Sequence, residues 1–231
     1  MIEWMAHGAL HDFPGLRFLG FEDLRVLKGL RINGETVELV VRVGSARESD
    51  GCRFVPVSLA SVKEIKGNGG PQETVLARAE VVLGEDLSVA PSPSSLPPIE
   101  AYTTSVTDCY DGLLLFHGVA LQGIEAIEGA SAAGIVTLSH CAPPPRQWMN
   151  DPLRGHWLAE PLMIDVAFQS MILWSQQQRG VGSLPVYARS YRQFVRRFPK
   201  EPLRIVARLV EAEERRAVAD LEWVTSEGNV V

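Results

Sequence analysis

Cysteine is scarce in this chain, and so is any pattern that would put it to work. The 231 residues hold three cysteines, Cys52, Cys109 and Cys141, an odd number with no C-x-x-C pair. That argues against a disulfide framework or a zinc site, and for reduced thiols of the kind found in cytoplasmic proteins. Pairing Cys109 or Cys141 with His117 as nucleophile and base is the sharper reading; inert packed cysteines are the commoner outcome. No apolar run approaches the ~20 residues that a helix needs to span a bilayer. The N-terminus has no basic region ahead of its apolar residues, so a signal peptide is not expected. Positive charge is not in excess either: the net charge is −6, which offers no general nucleic-acid surface.

What is present is ordinary globular material, 46% hydrophobic and 22% charged, enough for one large domain or two small ones. The first ten residues read as the body of a buried helix, with Trp4, Met5 and Leu10 among small residues. Asp12-Phe13-Pro14-Gly15 ends it. Extended segments follow. Phe18 to Ile32 and Thr36 to Val43, separated by Asn33-Gly34, read as a hairpin. Cys52 to Leu59 and Thr74 to Leu83 read as two further strands, with a loop around Lys66 to Pro71. Val89 to Pro98 is rich in proline and serine, the composition of an extended linker without a core of its own.

Beyond that linker the same grammar returns. Gln122 to Ala130 and Gly134 to Cys141 look like strands. A helix is predicted over Pro161 to Gln178, closed by Gly180 near its C-cap. Leu184 to Val195, Leu203 to Val210 and Ala217 to Val224 complete the set. Each half is thus one apolar helix with several antiparallel strands, and a helix that is apolar all round has to be wrapped. The fold class this implies is α+β, a double hot-dog in which two antiparallel sheets each wrap a central helix. Its expected parts are a first hot-dog over 1–88, a linker over 89–104 and a second hot-dog over 105–231. The repetition is one of architecture, with no residue-by-residue repeat evident.

The helix at Glu160 to Gln169 carries the chemistry. Pro161 suits a first helical turn, where its missing N–H is no loss. Asp165 and Gln169, at i and i+4, share one face and can share a hydrogen bond or a ligand. A carboxyl group among apolar neighbours such as Met163, Ile164, Val166 and Phe168 is the easier to keep protonated, as a general acid near neutral pH must be. Taken alone, the stretch is better read as a buried helix with one capping or partnered aspartate.

Two motifs change that balance. Tyr110-Asp111-Gly112-Leu113-Leu114-Leu115-Phe116-His117-Gly118-Val119-Ala120-Leu121-Gln122 resembles the Y…LFHGPxFQ segment of dehydratase domains in polyketide and polyunsaturated fatty acid synthases. Glu160 to Gln169 is similar to their second active-site motif, H-P-x-x-x-D-x-x-x-Q/H. Glu3-Trp4-Met5-Ala6 and the strand from Phe21 to Gly29 are similar to the first hot-dog of the same domains. The resemblance implies removal of water from a 3-hydroxyacyl chain carried on the phosphopantetheine of an acyl carrier protein, with no metal and no other cofactor. It makes Asp165 the acid that protonates the departing hydroxyl and Gln169 its orienting partner. Tyr110, His117, Gly118 and Gln122 fall at positions near the substrate, and the Gly118 amide is placed to polarise the thioester carbonyl. Other synthase domains become partners, and dimers are common among such domains.

The sequence also departs from the family. The family base lies in an H-x-x-x-G-x-x-x-x-P motif that these residues do not contain, and neither His7 nor His11 has its full spacing. Glu160 stands where the family has histidine, and Val119 where it has proline. His117 is expected to support its turn rather than to react. A non-catalytic double hot-dog that holds synthase parts or growing chains is therefore the rival to an active dehydratase; a hot-dog thioesterase is disfavoured by the motifs. Arg189, Arg192, Arg196, Arg197 and Lys200 read either as a seat for an acidic carrier protein or its phosphate or as a charged strand edge.

Overall fold

The structure is a computed structural model, and it describes residues 1–30, 36–63, 71–112 and 114–231. The turn expected at Asn33-Gly34 and most of the loop around Lys66 to Pro71 lie outside the described residues. The chain divides into two compact units, Met1–Ser88 with Val186–Arg196, and Val89–Pro185 with Arg197–Val231.

In the first unit, α1 (Ile2–Asp12) packs against a sheet of β1 (Arg17–Val26), β2 (Glu38–Val43), β3 (Arg47–Ser49), β4 (Cys52–Lys63), β5 (Gln72–Gly84) and β8 (Tyr187–Arg192). The strand order is β2-β4-β5-β1-β8, with β3 beside β4, and every pairing is antiparallel. Val55, Val57 and Leu59 alternate inward from β4 and join Met5, Ala6 and Ala9 of α1 in the core. Two expectations fail here. β1 and β2 form no hairpin, because β1 is already paired on both sides, with β5 and β8, while β2 pairs with β4. The segment 187–192, expected within the second hot-dog, completes the first sheet instead. Phe18, Phe21 and Tyr191 account for this: Tyr191 is buried and its ring stacks on both phenylalanines, at 6.3 and 5.3 Å.

In the second unit, α2 (Val106–Asp111) precedes β6 (Ile124–Ser131) and β7 (Gly134–Ser139), and α3 (Pro161–Arg179) precedes β9 (Leu203–Ala212) and β10 (Ala217–Val224). The sheet order is β10-β9-β7-β6. α3 packs on β6, β7 and β9, burying Leu162, Met163, Val166, Leu173 and Trp174 opposite Ile135, Leu203 and Ile205. Fully burying each such side chain is worth about 1.5–3 kcal/mol. Gly180 ends α3 with φ +65°, the left-handed cap expected of it. Residues 89–99 contain no helix or strand, yet they are fastened: Ser94 bonds Glu222 through its N–H and its hydroxyl, and Pro98 accepts from Ser131.

Candidate active site

α3 presents Asp165 and Gln169 one turn apart, and their environments differ sharply. Gln169 is fully buried, whereas the Asp165 side chain keeps 32% of its surface exposed. Met163, Ile164 and Val166 are buried in the core, so Asp165 sits at the margin of the core and not within it.

The hydrogen bonds around Gln169 have only one consistent direction. The Ile124 N–H donates to the Tyr110 hydroxyl at 3.2 Å, and that hydroxyl donates to Gln169 Oε1 at 2.8 Å. Gln169 Nε2 then donates both its hydrogens, to the Leu121 carbonyl and to Asp165 Oδ2, each at 2.7 Å. Turning the amide over would set Oε1 against two acceptors, so the orientation is fixed by the network. Asp165 Oδ2 is therefore committed as an acceptor.

Each partner has a local reason for its place. Ser105 caps α2, accepting from the Asp108 N–H at 3.1 Å, and this short helix carries Tyr110 inward. Burial pushes the Tyr110 hydroxyl up to about 12, so it stays a neutral donor at ordinary pH. Gly123 lets the strand start close to α3, since a Cβ there would lie 2.6 Å from Val166 Cγ2. That approach brings Leu121 and Ile124 within reach of α3.

His117 stands on the other side of Asp165, with Nε2 3.5 Å from Oδ2 and the ring stacked on Phe116 at 4.5 Å. Its side chain is 9% exposed. Burial lowers its proton affinity by more than the nearby Asp165 carboxylate raises it, which favours a neutral imidazole. The expected bond from His117 to its own turn is not what the structure has: Gln122 Nε2 donates to the His117 carbonyl at 3.1 Å, and the imidazole faces Asp165. Among the described residues, His117 Nδ1 is buried with no hydrogen-bond partner. Gly118 is exposed, and nothing lies within 4 Å of where its Cβ would be. Phe116, Val119 and Leu121 leave apolar surface exposed along the same loop.

The structure thus gathers Tyr110, His117, Asp165 and Gln169 into one cluster, with Gln122 beside it bracing the His117 backbone. Sequence reasoning missed the main-chain members, Leu121 O and Ile124 N, because every residue carries such groups. Gly123, directly after Gln122, was the one legible signal of a close approach. Glu160 has an unexpected role. It occupies the left-handed region at φ +41°, strained for a residue that is not glycine, and its buried carboxylate accepts from the Ala142 N–H at 2.5 Å. Of the arginine group, Arg189, Arg192 and Arg196 belong to the first unit and Arg197 and Lys200 to the second; Arg192 pairs with Glu22 and donates to the Tyr191 carbonyl.

A helix packed on an antiparallel sheet, twice over, is the arrangement of the double hot-dog class. Comparison with known proteins gives the family. The family model described as "Polyketide synthase dehydratase N-terminal domain" matches residues 88–231, more than half of the chain, and the chain belongs to that family. It is 25% identical over 187 residues to a polyunsaturated fatty acid synthase polypeptide of Thraustochytrium sp., a match covering 78% of this chain and 6% of that protein's length. Among solved structures, the dehydratase domain from the CurF module of curacin polyketide synthase superposes with a TM-score of 0.69 at 14% identity, over 100% of this chain and 78% of that one. The dehydratase domain of RzxB from Pseudomonas fluorescens gives 0.68 at 13%, over 100% and 80%. The erythromycin dehydratase gives 0.64 at 18%, over 100% and 76%.

Proposed function

We propose that this domain removes water from a 3-hydroxyacyl thioester held by an acyl carrier protein, giving the 2-enoyl thioester, with Asp165 as the general acid. The observation that carries this reading is the directed hydrogen-bond chain from Ile124 through Tyr110 and Gln169 to Asp165 Oδ2, which leaves Oδ1 to hold a transferable proton. In the reaction a base takes the proton from C2, and the electrons of that C–H bond form the C2=C3 double bond. The C3–O bond breaks, and the Asp165 Oδ1 proton passes to the departing oxygen to make water. The Asp165 carboxylate left behind is stabilised by the Gln169 N–H and by His117. The exposed Gly118 amide is the donor best suited to the thioester carbonyl, and the apolar surface of Phe116, Val119 and Leu121 suits an acyl chain. His117 acts here by holding Asp165. Its Nε2 faces that carboxylate and its Nδ1 is enclosed, so neither nitrogen is set to take a proton from C2. The base is expected from a histidine of the kind the family motif supplies.

The test is loss of water from a 3-hydroxyacyl pantetheine, followed by the enoyl thioester absorbance, in a version of the domain that carries the family's H-x-x-x-G-x-x-x-x-P histidine together with these residues. Asp165→Asn, which keeps shape and removes the proton, should lower the rate by a factor of roughly 10² to 10⁴, the usual contribution of a general acid. An unchanged rate in Asp165→Asn sinks the acid assignment. A folded chain that binds the thioester in an Asp165-dependent way and never turns it over favours the scaffold reading instead.

A further inference from the structure

The connection from β7 to α3 takes no part in the hydrogen bonds around Asp165, yet it is fastened at three points. Glu160 accepts from the Ala142 N–H. Trp157 Nε1 donates to the Pro143 carbonyl at 2.7 Å. Cys141 Sγ donates to the Pro199 carbonyl at 3.3 Å, which sets the segment 197–200 beside the start of the loop. Between these points the two prolines open a tight turn. The Gln147 N–H bonds the Pro144 carbonyl, and the Trp148 and Met149 N–H groups bond that of Pro145, at 2.9, 3.0 and 2.8 Å. Long connections with so little regular structure are uncommon inside a domain and usually have a function.

What this platform displays is aromatic, apolar and cationic. The rings of Trp148 and Trp157 lie 5.5 Å apart, both only half-buried, with Met149 half-buried beside Trp148. Leu153 is 86% exposed. Arg146, Arg197 and Lys200 are exposed. Residues 142–159 and 197–202 carry four cations against two carboxylates, in a chain whose net charge is −6. Tryptophan, methionine and arginine are the residues that protein interfaces enrich, and rings already held in place lose little freedom when a partner arrives. The charge selects an acidic partner. Position narrows it further: Glu160 directly precedes α3, and Asp165 lies five residues on, ~7.5 Å along the helix axis. A phosphopantetheine arm is longer than that, so a carrier seated here brings its thioester to Asp165.

We infer that this platform is the docking surface for an acidic acyl carrier protein, with Arg146, Arg197 and Lys200 facing its carboxylates and Trp148 at the apolar contact. The inference rests on the reading of Asp165 as an acyl-thioester site, and the experiment separates the two. The full chain is titrated by calorimetry with two probes. One is butanoyl pantetheine, which has no hydroxyl to lose; the other is an acyl carrier protein of a polyunsaturated fatty acid synthase, its arm loaded with the same butanoyl chain. Arg146→Glu with Lys200→Glu should weaken the carrier at least about tenfold, as should Trp148→Ala, and added salt should weaken it in wild type. Butanoyl pantetheine should bind all these chains alike. Arg197→Glu replaces either reversal that lowers the melting temperature. Carrier affinity that stays within about twofold after charge reversal overturns the docking surface, as does an equal loss for butanoyl pantetheine. So does a dimer that the reversal splits in sedimentation, which would assign the surface to a second copy. If butanoyl pantetheine binds and the carrier does not, the docking surface is overturned and the Asp165 reading stands. If the carrier binds through these residues and butanoyl pantetheine does not bind, the docking surface stands and the Asp165 reading falls. A folded chain that binds neither overturns both.

Discussion

Tyr110→Phe removes one oxygen and tests the directed network. The ring can stay where it is, buried at 9% exposure, so packing is nearly unchanged. Two groups lose their partner at once: the Ile124 N–H and Gln169 Oε1. A buried group left unsatisfied costs about 1–3 kcal/mol. Shared relaxation between two neighbours brings the expected total to about 2–4 kcal/mol, below the sum of the two maxima. For a chain of this size that lowers the melting temperature by roughly 4–16 °C. Function should fall as well, because Gln169 Oε1 loses its anchor and the side chain is left held only through its N–H groups, by the Leu121 carbonyl and Asp165. The assay is a double-mutant cycle with Gln169→Leu, read in thermal melts and in turnover. With the amide already gone, the tyrosine hydroxyl has less to hold, so the two losses should fall short of additivity by at least ~1 kcal/mol. A melting temperature within about a degree of wild type, or strict additivity, refutes the directed network.

Three further perturbations follow from the geometry. Because burial lowers the folded-state proton affinity of His117 below its ordinary value, its contribution is fully present above about pH 6.5 and is lost as pH falls through the folded pKa; stability against urea should decline below about pH 6.5 in wild type and less steeply in His117→Gln. The Tyr110 hydroxyl and the Cys141 thiol are both raised to about 12, so their contributions are intact below their unfolded values and are lost as pH climbs towards 12; Cys141→Ser should flatten the alkaline unfolding curve between about pH 9 and 12. Gly123→Ala should destabilise the second unit by about 1–3 kcal/mol through overpacking, and Val166→Ala should recover part of that loss when the two are combined.

How much of this was legible depends on the range of the information. α3 was readable because its signals are local: Pro161 at the start, an apolar body, Gly180 at the end. β9 and β10 likewise announce themselves by their own residues. The pairing of β1 was not readable, because Asn33-Gly34 promotes a hairpin locally while the partners that occupy both edges of β1 come from residues 72–84 and 187–192. Tyr191 stacking on Phe18 and Phe21 decides where β8 goes, and no short window contains all three rings. At the site, Asp165 and Gln169 were visible as a spacing. Their directionality was not, since it is set by a backbone N–H and a backbone carbonyl that look like every other.

The same spacing on two helices shows what surroundings add to a motif. On α3 the amide is sealed and the carboxylate is left accessible; on α1 the carboxylate is sealed and its partner is the more accessible group. A sealed glutamine has fixed hydrogen-bond directions, so it holds Oδ2 of Asp165 as an acceptor. On α1 the Glu3 carboxylate is instead tied to His7. An acid that must deliver a proton to one leaving oxygen needs the first arrangement. Exchanging Gln169 for histidine would give α3 the donor type of α1 but not its burial pattern, and the buried ring would compete with Asp165 for the proton. Dehydration by Gln169→His should therefore become more dependent on pH than in wild type, while Gln169→Asn, too short to reach Asp165 Oδ2 from the same backbone position, should lose rate at every pH. A wild-type pH profile in Gln169→His would mean that the amide only fills space.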